Sequence, residues 1–311
     1  MPETEIFSDS FPAFGGNCDL VFTGLNSDDA KLILQKVKNE IEQLENIISP
    51  ASMISDINKL NNSGSDIWVD VDPVLMNILS ISSDFFEMSN GAFDICCGAL
   101  YSLWKQNQNP DSEQIKDAKQ NSGFNFLEID IENNKVRFLK KRLQLDLRAI
   151  DKAYAADSLK NLLIENNVNN CIVSFDEEVV LALGRHPSGQ AWPIGIRNIQ
   201  QPGKFIHVFD SSNQFTVNTG TIKLDLETAN IVENIIVSPE TGLKVEGKRT
   251  VSVTGNSAVL SAFLAHIWLI LPEHDQSIVV EQLTDLEVFE AEYLADDIKT
   301  KLTLLKEENY E

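Results

Sequence analysis

A lysine set one residue into a helix, directly behind an extended segment, is the group in this 311-residue chain best placed to do chemistry. Leu143, Leu145 and Leu147 alternate with Gln144 and Asp146 at the period of a strand, and Leu159, Leu162 and Leu163 then recur at the period of a helix. The switch falls near Ile150 to Lys152. A helix that starts there aims unpaired backbone N–H groups and the positive end of its dipole above the strand, which suits a phosphate. Lys152 adds a full charge, and Tyr154 on the same first turn offers an aromatic face. The structural alternative for Lys152 is an ion pair with Asp146 or Asp157. Other polar groups read as structural: Asp94 caps the turn before Cys96-Cys97, and His266 lies in an apolar helix as a satisfied core histidine.

The surrounding elements follow from periodicity. Phe14-Gly15-Gly16-Asn17 reads as a turn before a short strand at Asp19 to Thr23, and Ser27 to Ile48 as an amphipathic helix capped by Ser27, with Ile33, Val37, Ile41, Leu44 and Ile48 as its buried stripe. A second helix runs from Asp72 to Met88 with Pro73 in its first turn and Leu75, Ile78, Leu79, Ser82 and Phe86 on one face, and Gly91 ends it. From Phe124 to Leu147 the pattern is β, a hairpin turning at Glu132 to Lys135 and feeding the lysine strand. A helix at Asp151 to Asn166 is followed by strands at Asn170 to Ser174 and Val179 to Leu183, and by more strands between Ile194 and Val253. Ser257 to Leu271 is a last, strongly apolar helix, and Lys299 to Glu311 a polar tail or frayed helix. Strand runs joined by local turns imply an α+β fold of antiparallel sheets flanked by helices, in one domain over residues 1–311 that its length allows to form two lobes.

Composition excludes several roles. A hydrophobic content of 43% supports a substantial core, and a net charge of -22 argues against a nucleic-acid groove or docking to anionic lipid. Cys18, Cys96, Cys97 and Cys171 lack zinc-site spacing. Met1 to Phe14 lacks the basic start and apolar stretch of a signal peptide, and Ala258 to Leu271 is too short to span a membrane. A cytoplasmic protein is the expectation from this chain, or a periplasmic one whose export signal has been trimmed. The scattered Ser, His and Asp residues give no support for a hydrolytic triad.

Several segments, in order, resemble the flavin transferase family, also called the ApbE or thiamine-biosynthesis lipoprotein family of FAD:protein FMN transferases. Phe14-Gly15-Gly16 is similar to the family's early Met-Gly-Thr turn. Ser55-Asp56-Ile57-Asn58-Lys59-Leu60-Asn61 is similar to its Ser-x-hydrophobic-x-x-hydrophobic-Asn segment, and Ser89-Asn90-Gly91-Ala92-Phe93-Asp94 to its Gly-Ala-Phe-Asp run. Asp146, Leu147, Ile150, Lys152, Tyr154, Ala155 and Asp157 fall on Asp-Leu-Gly-Gly-Ile-Ala/Gly-Lys-Gly-Tyr-Ala-x-Asp, and Pro239, Thr241 and Gly242 on Asp-Pro-Arg-Thr-Gly. The loop from Gly184 to Gly189 and the strand at Trp192 to Ile196 also have family counterparts.

The resemblance implies a T-fold-related architecture that binds FAD, splits its pyrophosphate with Mg²⁺, and esterifies FMN to a threonine of an acceptor protein. It implies flavin contacts at Gly15, Gly16, Asp94, Lys152, Tyr154 and Thr241. It also places Ala262 and His266 where the family has its metal-binding Asp and Thr, and neither is a hard oxygen ligand. Arg148, Ala149 and Ala153 replace family glycines, Ser238 and Glu240 replace an acid and a base, and Asp176-Glu177-Glu178 stands where a glycine pair usually follows the strand. Three readings follow. The first is a homologue with a degenerate metal and pyrophosphate site and weak or absent FMN transfer, a pseudoenzyme. The second is an active transferase with Asp151 and His266 as substitute ligands, a set suited to a transition metal. The third is a flavin or nucleotide carrier without turnover.

Overall fold

Valine, isoleucine, phenylalanine and threonine crowd the segments that pair into the main sheet, where branched and aromatic side chains pack well on a pleated surface. The computed structural model describes residues 5–50, 52–226 and 228–306. Its main sheet has eight strands, every neighbouring pair antiparallel. From edge to edge they are β1 (Ile6–Ala13), β2 (Gly16–Thr23), β6 (Cys171–Phe175), β7 (Val179–Leu183), β10 (Gln214–Gly220), β13 (Arg249–Gly255), β14 (Leu286–Tyr293) and β15 (Ile298–Leu305). Three small sheets accompany it: β3 (Val69–Asp70), β5 (Lys135–Phe138) and β4 (Leu127–Asp130); β8 (Trp192–Arg197) and β9 (Phe205–Ser211); β11 (Ile222–Leu224) and β12 (Ile231–Glu233).

One face of the main sheet is buried under helices. α7 (Ala258–Ile270) lies on β10 and β13, α6 (Asp151–Glu165) packs against α7 and β7, and α1 (Ser27–Ile48) packs against α6 and β1. α2 (Asp56–Asn61) and α3 (Pro73–Met88) pack against α1, and Phe85 of α3 stacks on Phe263 of α7 at 4.2 Å. The opposite face near β14 is covered by the β8–β9 hairpin, where Ile196 and Phe209 join Phe289, Ala291 and Tyr293 in a second apolar cluster. α4 (Gly98–Gln106) and α5 (Ser112–Gln120) close a third, around Leu100, Ala118 and Val237, and α8 (Glu273–Val280) follows α7. The α+β class and the antiparallel sheets are as expected. Among the described residues no helix is long and apolar enough to cross a membrane.

Several local expectations need correction. The cap of α1 is Asn26, whose Oδ1 accepts from the N–H groups of Asp28 and Asp29, so Ser27 is already the first helical residue. The tip of the first hairpin takes positive φ at both Phe14 (50°) and Gly15 (75°), the requirement of a tight two-residue turn, and β1 ahead of it is a full strand. Phe85 replaces Phe86 among the buried residues of α3. Residues 298–305 are the edge strand β15, paired along its length with β14; its lysines and threonines suit an exposed edge. The remainder of the expected tail, 307–311, and the first four residues of the N-terminal expectation lie outside the described residues.

The most consequential correction concerns the lysine strand. Residues 143–147 keep the alternation, with Leu143, Leu145 and Leu147 buried, yet belong to no sheet. Side-chain and loop partners replace the ladder. Asn61 Nδ2 donates to Leu145 O at 3.0 Å while its Oδ1 accepts from Leu145 N at 2.8 Å. On the other side Asp146 N donates to Ile95 O, and Gly98 N to Gln144 O. A Cβ on Gly98 would meet Gln144 O at 2.8 Å, so this approach requires glycine. From here the chain enters α6, and Asp157 on that helix caps α7. Its carboxylate accepts from Ser257 Oγ and from the N–H groups of Ala258 and Val259.

Asn61→Ala leaves the buried Leu145 amide and carbonyl without partners and is expected to cost about 2–3 kcal/mol of unfolding free energy. Urea melts of both proteins check this, and a loss below about 0.5 kcal/mol would mean that the amide clamp is dispensable.

Candidate functional site

Two polar clusters flank the turn into α6. The first is a half-open cleft of about 110 Å³ where residues 93–97, 146–149 and 234–239 meet His266 of α7. Its volume is well below the roughly 300–1,000 Å³ of typical small-molecule sites, so a dinucleotide could place only a part of itself there.

Each wall of the cleft is locked by local bonds. Asp94 Oδ1 accepts from Cys96 N at 2.7 Å and Oδ2 from Phe124 N at 3.0 Å, which fixes the turn before α4. Burial pushes the Asp94 carboxyl up to about 6 against the pull of those two donors. Asp146 grips Arg148 through Arg148 Nε at 2.8 Å and Nη2 at 2.5 Å, and the guanidinium lies over the Tyr101 ring. Desolvation alone would lower the pKa of Arg148, yet Asp146 holds it above the ordinary value. His266, edge-on to Phe93 at 5.8 Å, is pushed down to about 4 by desolvation, so its imidazole is neutral at pH 7.

The second cluster surrounds Lys152. Its Nζ donates to Asp176 Oδ2 at 3.0 Å and to Glu178 Oε2 at 2.7 Å. Glu178 Oε1 accepts from Lys223 at 2.9 Å, and Glu177 holds Arg197 through two bonds of 2.6 Å. The acids sit on the turn between β6 and β7, where Asp176 (φ 49°) and Glu177 (φ 60°) take the left-handed backbone that glycine favours. Desolvation would lower Lys152, but Glu178 and Asp176 hold it above its usual value. Desolvation likewise works against charge on Glu178, whose carboxyl Lys152 and Lys223 keep below the usual range. Neither Asp146 nor Asp157 is the partner of Lys152: the first is engaged by Arg148, the second by the start of α7.

The sequence candidates are thus divided. Asp94 and His266 line the cleft, with Asp146, Arg148 and Tyr101 beside them. Gly16 lies under Asp176 in the lysine cluster, and Gly15 forms the hairpin tip one residue away. Tyr154 accepts from Asn77 Nδ2 at 3.1 Å, and Thr241 sits in an exposed turn where its Oγ1 accepts from Leu243 N; neither lines the cleft. Trp104 and Trp192 donate to the carbonyls of Gly242 and Leu183, outside the cleft. The Asp146–Arg148–Tyr101 arrangement was missed by the sequence reading. Its signal was the i,i+2 spacing of Asp146 and Arg148 on an extended segment, which puts both on one face.

As to a metal, Asp151 is buried at the first turn of α6 with Oδ1 accepting from Lys152 N at 2.6 Å, and Ala262 is in the core. No group of three or more His, Cys, Asp or Glu side chains that could hold an ion occurs among the described residues. This donor set does not fit Mg²⁺, which takes oxygen ligands in near-octahedral geometry.

The sequence profile of the ApbE family matches residues 14–289. A FAD:protein FMN transferase of Chlamydia muridarum is 30% identical over 165 residues, covering 52% of this chain and 51% of that protein, so the chain spans about half the length of this relative. One of Klebsiella pneumoniae is 23% identical over 271 residues, 83% of this chain and 77% of that protein. Among solved structures, the flavin transferase ApbE from Vibrio cholerae superposes with a TM-score of 0.82 at 18% identity, covering 96% of this chain and 97% of that one, a likeness of fold.

Burial pushes the Asp151 carboxyl up to about 7 from an ordinary 3.8, so the folded state binds its proton more tightly than the unfolded chain does. Its contribution therefore favours folding most below pH 4, declines from pH 4 to 7, and stays at its minimum above. The cost at pH 8 is on the order of 4 kcal/mol. Asp151→Asn keeps an acceptor for Lys152 N and is expected to be more stable than wild type at pH 8 by about 2–4 kcal/mol, with the gain gone below pH 4. Chemical melts at pH 3.5 and 8 read this out, and an equal difference at both values would refute the assignment.

Proposed function

This chain belongs to the ApbE family, and we propose that it is a FAD:protein FMN transferase homologue whose metal and pyrophosphate site is degenerate, with FMN transfer weak or absent. One observation carries the reading: the α7 side chain that lines the cleft is His266, a neutral imidazole, while Ala262 one turn earlier is a buried methyl group. Where resemblance to the family calls for a carboxylate and a hydroxyl, the helix thus presents no oxygen ligand. The packing side of the helix is intact, since Phe263 stacks on Phe85 and meets the Phe93 ring edge to face. Loss of ligands with retention of packing is what supports a scaffold kept without its chemistry. FAD is the nucleotide, and a threonine-bearing protein the acceptor, that family membership brings with it.

Purified protein incubated with FAD, Mg²⁺ and a threonine-bearing peptide is expected to release no AMP and form no flavinylated peptide above the protein-free control. AMP release with peptide labelling at high enzyme concentration would overturn the reading. A flavin-fluorescence titration with FAD, FMN and AMP separates the carrier reading, which requires saturable binding. For the reading with substitute ligands, Mn²⁺ or Zn²⁺ should raise the Tm of wild type and not of Asp151→Ala; equal shifts in both would dismiss it.

A further inference from the structure

Four carboxylate oxygens converge on the Lys152 cluster, and each has a donor. Asp176 Oδ1 accepts from Asn17 N at 2.8 Å, Asp176 Oδ2 and Glu178 Oε2 share Lys152 Nζ, and Glu178 Oε1 takes Lys223 Nζ. Two neighbouring anionic groups bridged by one ammonium, with a backbone N–H at one end and a second lysine at the other, form the donor pattern that a diphosphate would meet. The Asp176 carboxylate reaches it only because Gly16 lacks a side chain: a Cβ there would lie 1.7 Å from Asp176 Oδ2.

The acids are fixed by their turn. Asn218 N donates to Glu178 O and its Nδ2 to Glu177 O, Glu177 N donates to Ser174 Oγ, and Asp176 N donates to Asn17 O. Two successive non-glycine residues in left-handed backbone cost energy that these bonds and the ion pairs offset. A turn needed only to join β6 to β7 would not require carboxylates aimed back at a lysine on another element.

We propose that Asp176 and Glu178 are a built-in occupant of the anion seat formed by Lys152, Lys223 and the Asn17 N–H, an internal contact that excludes a phosphate-bearing ligand until those carboxylates are displaced. The inference deepens the reading above and rests on it for the identity of the excluded group, the phosphate end of a flavin nucleotide. Its physical basis is local: two negative charges hold the donors that an incoming phosphate needs, and they repel that phosphate at close range.

The test is calorimetric titration of the full chain with inorganic pyrophosphate, without metal and at low ionic strength. Asp176→Asn/Glu178→Gln keeps the side-chain sizes and an acceptor for Asn17 N, and is expected to bind pyrophosphate at least about tenfold tighter than wild type. Adding Lys152→Met to that double variant should abolish the gain. Equal affinity in wild type and double variant overturns the proposal, as does a gain that survives Lys152→Met. Should the double variant lose its cooperative melt, Asp176→Asn alone carries the comparison: a smaller gain than in the double variant is expected, because Glu178 still holds both lysines, and affinity equal to wild type overturns the proposal. AMP release from FAD by wild type, measured in parallel, bears on the functional reading alone: it would overturn that reading even where the pyrophosphate gain upholds the internal occupant.

Discussion

A single side-chain amide stands in for a missing strand neighbour, and the polar half of this molecule depends on it. The chain from Leu143 to Leu147 is extended and buried, so its backbone groups need partners, yet no strand lies beside it. Asn61 supplies a donor and an acceptor to Leu145, and Ile95 and Gly98 satisfy the other edge. Held on both sides, the segment delivers Asp146 and Arg148 to the cleft and starts α6 at Asp151. α6 then fixes α7 through the Asp157 carboxylate, so one clamp orients both helices that back the site.

Electrostatics divide the region around that turn in two. In the cleft, desolvation favours neutral forms, with Asp94 pushed up to about 6 and His266 down to about 4, and the ion pair of Asp146 with Arg148 is closed on itself. Around Lys152 the charges are strong and mutually satisfied: Asp176 and Glu178 share Lys152, Glu178 also takes Lys223, and Glu177 holds Arg197. A protein with net charge -22 thus keeps balanced charge where its helix dipole is most positive.

The family resemblance and the physics of single residues agree on location and differ on content. Gly98, Asn61, Asp94 and Asp157 all do local structural work, a close approach, a strand substitute, a turn cap and a helix cap. Asn61, Asp94 and Asp157 fall within the motifs that resemble the family's. Among the residues that differ from those motifs, Arg148 and His266 line the cleft, Asp176 and Glu178 hold Lys152, and Ala153 and Ala262 are buried in the core.

By itself the sequence determined what repeats along the chain: the amphipathic stripe of α1, the Pro73 start of α3, the hairpin at 127–138, the apolar α7, and the place where the extended segment turns into α6. Periodicity and capping are local, so they can be read locally. β15 escaped because its outward lysines and threonines resemble a solvated tail until β14 pairs with it. α5 escaped although Asp111 and Gln114 spell a capping box. Only the tertiary structure decided which charges meet. Lys152 finds Asp176 and Glu178 across 24 and 26 residues rather than its sequence neighbours. Ion pairs form between groups that folding brings together from different elements, and spacing along the chain carries no record of that distance.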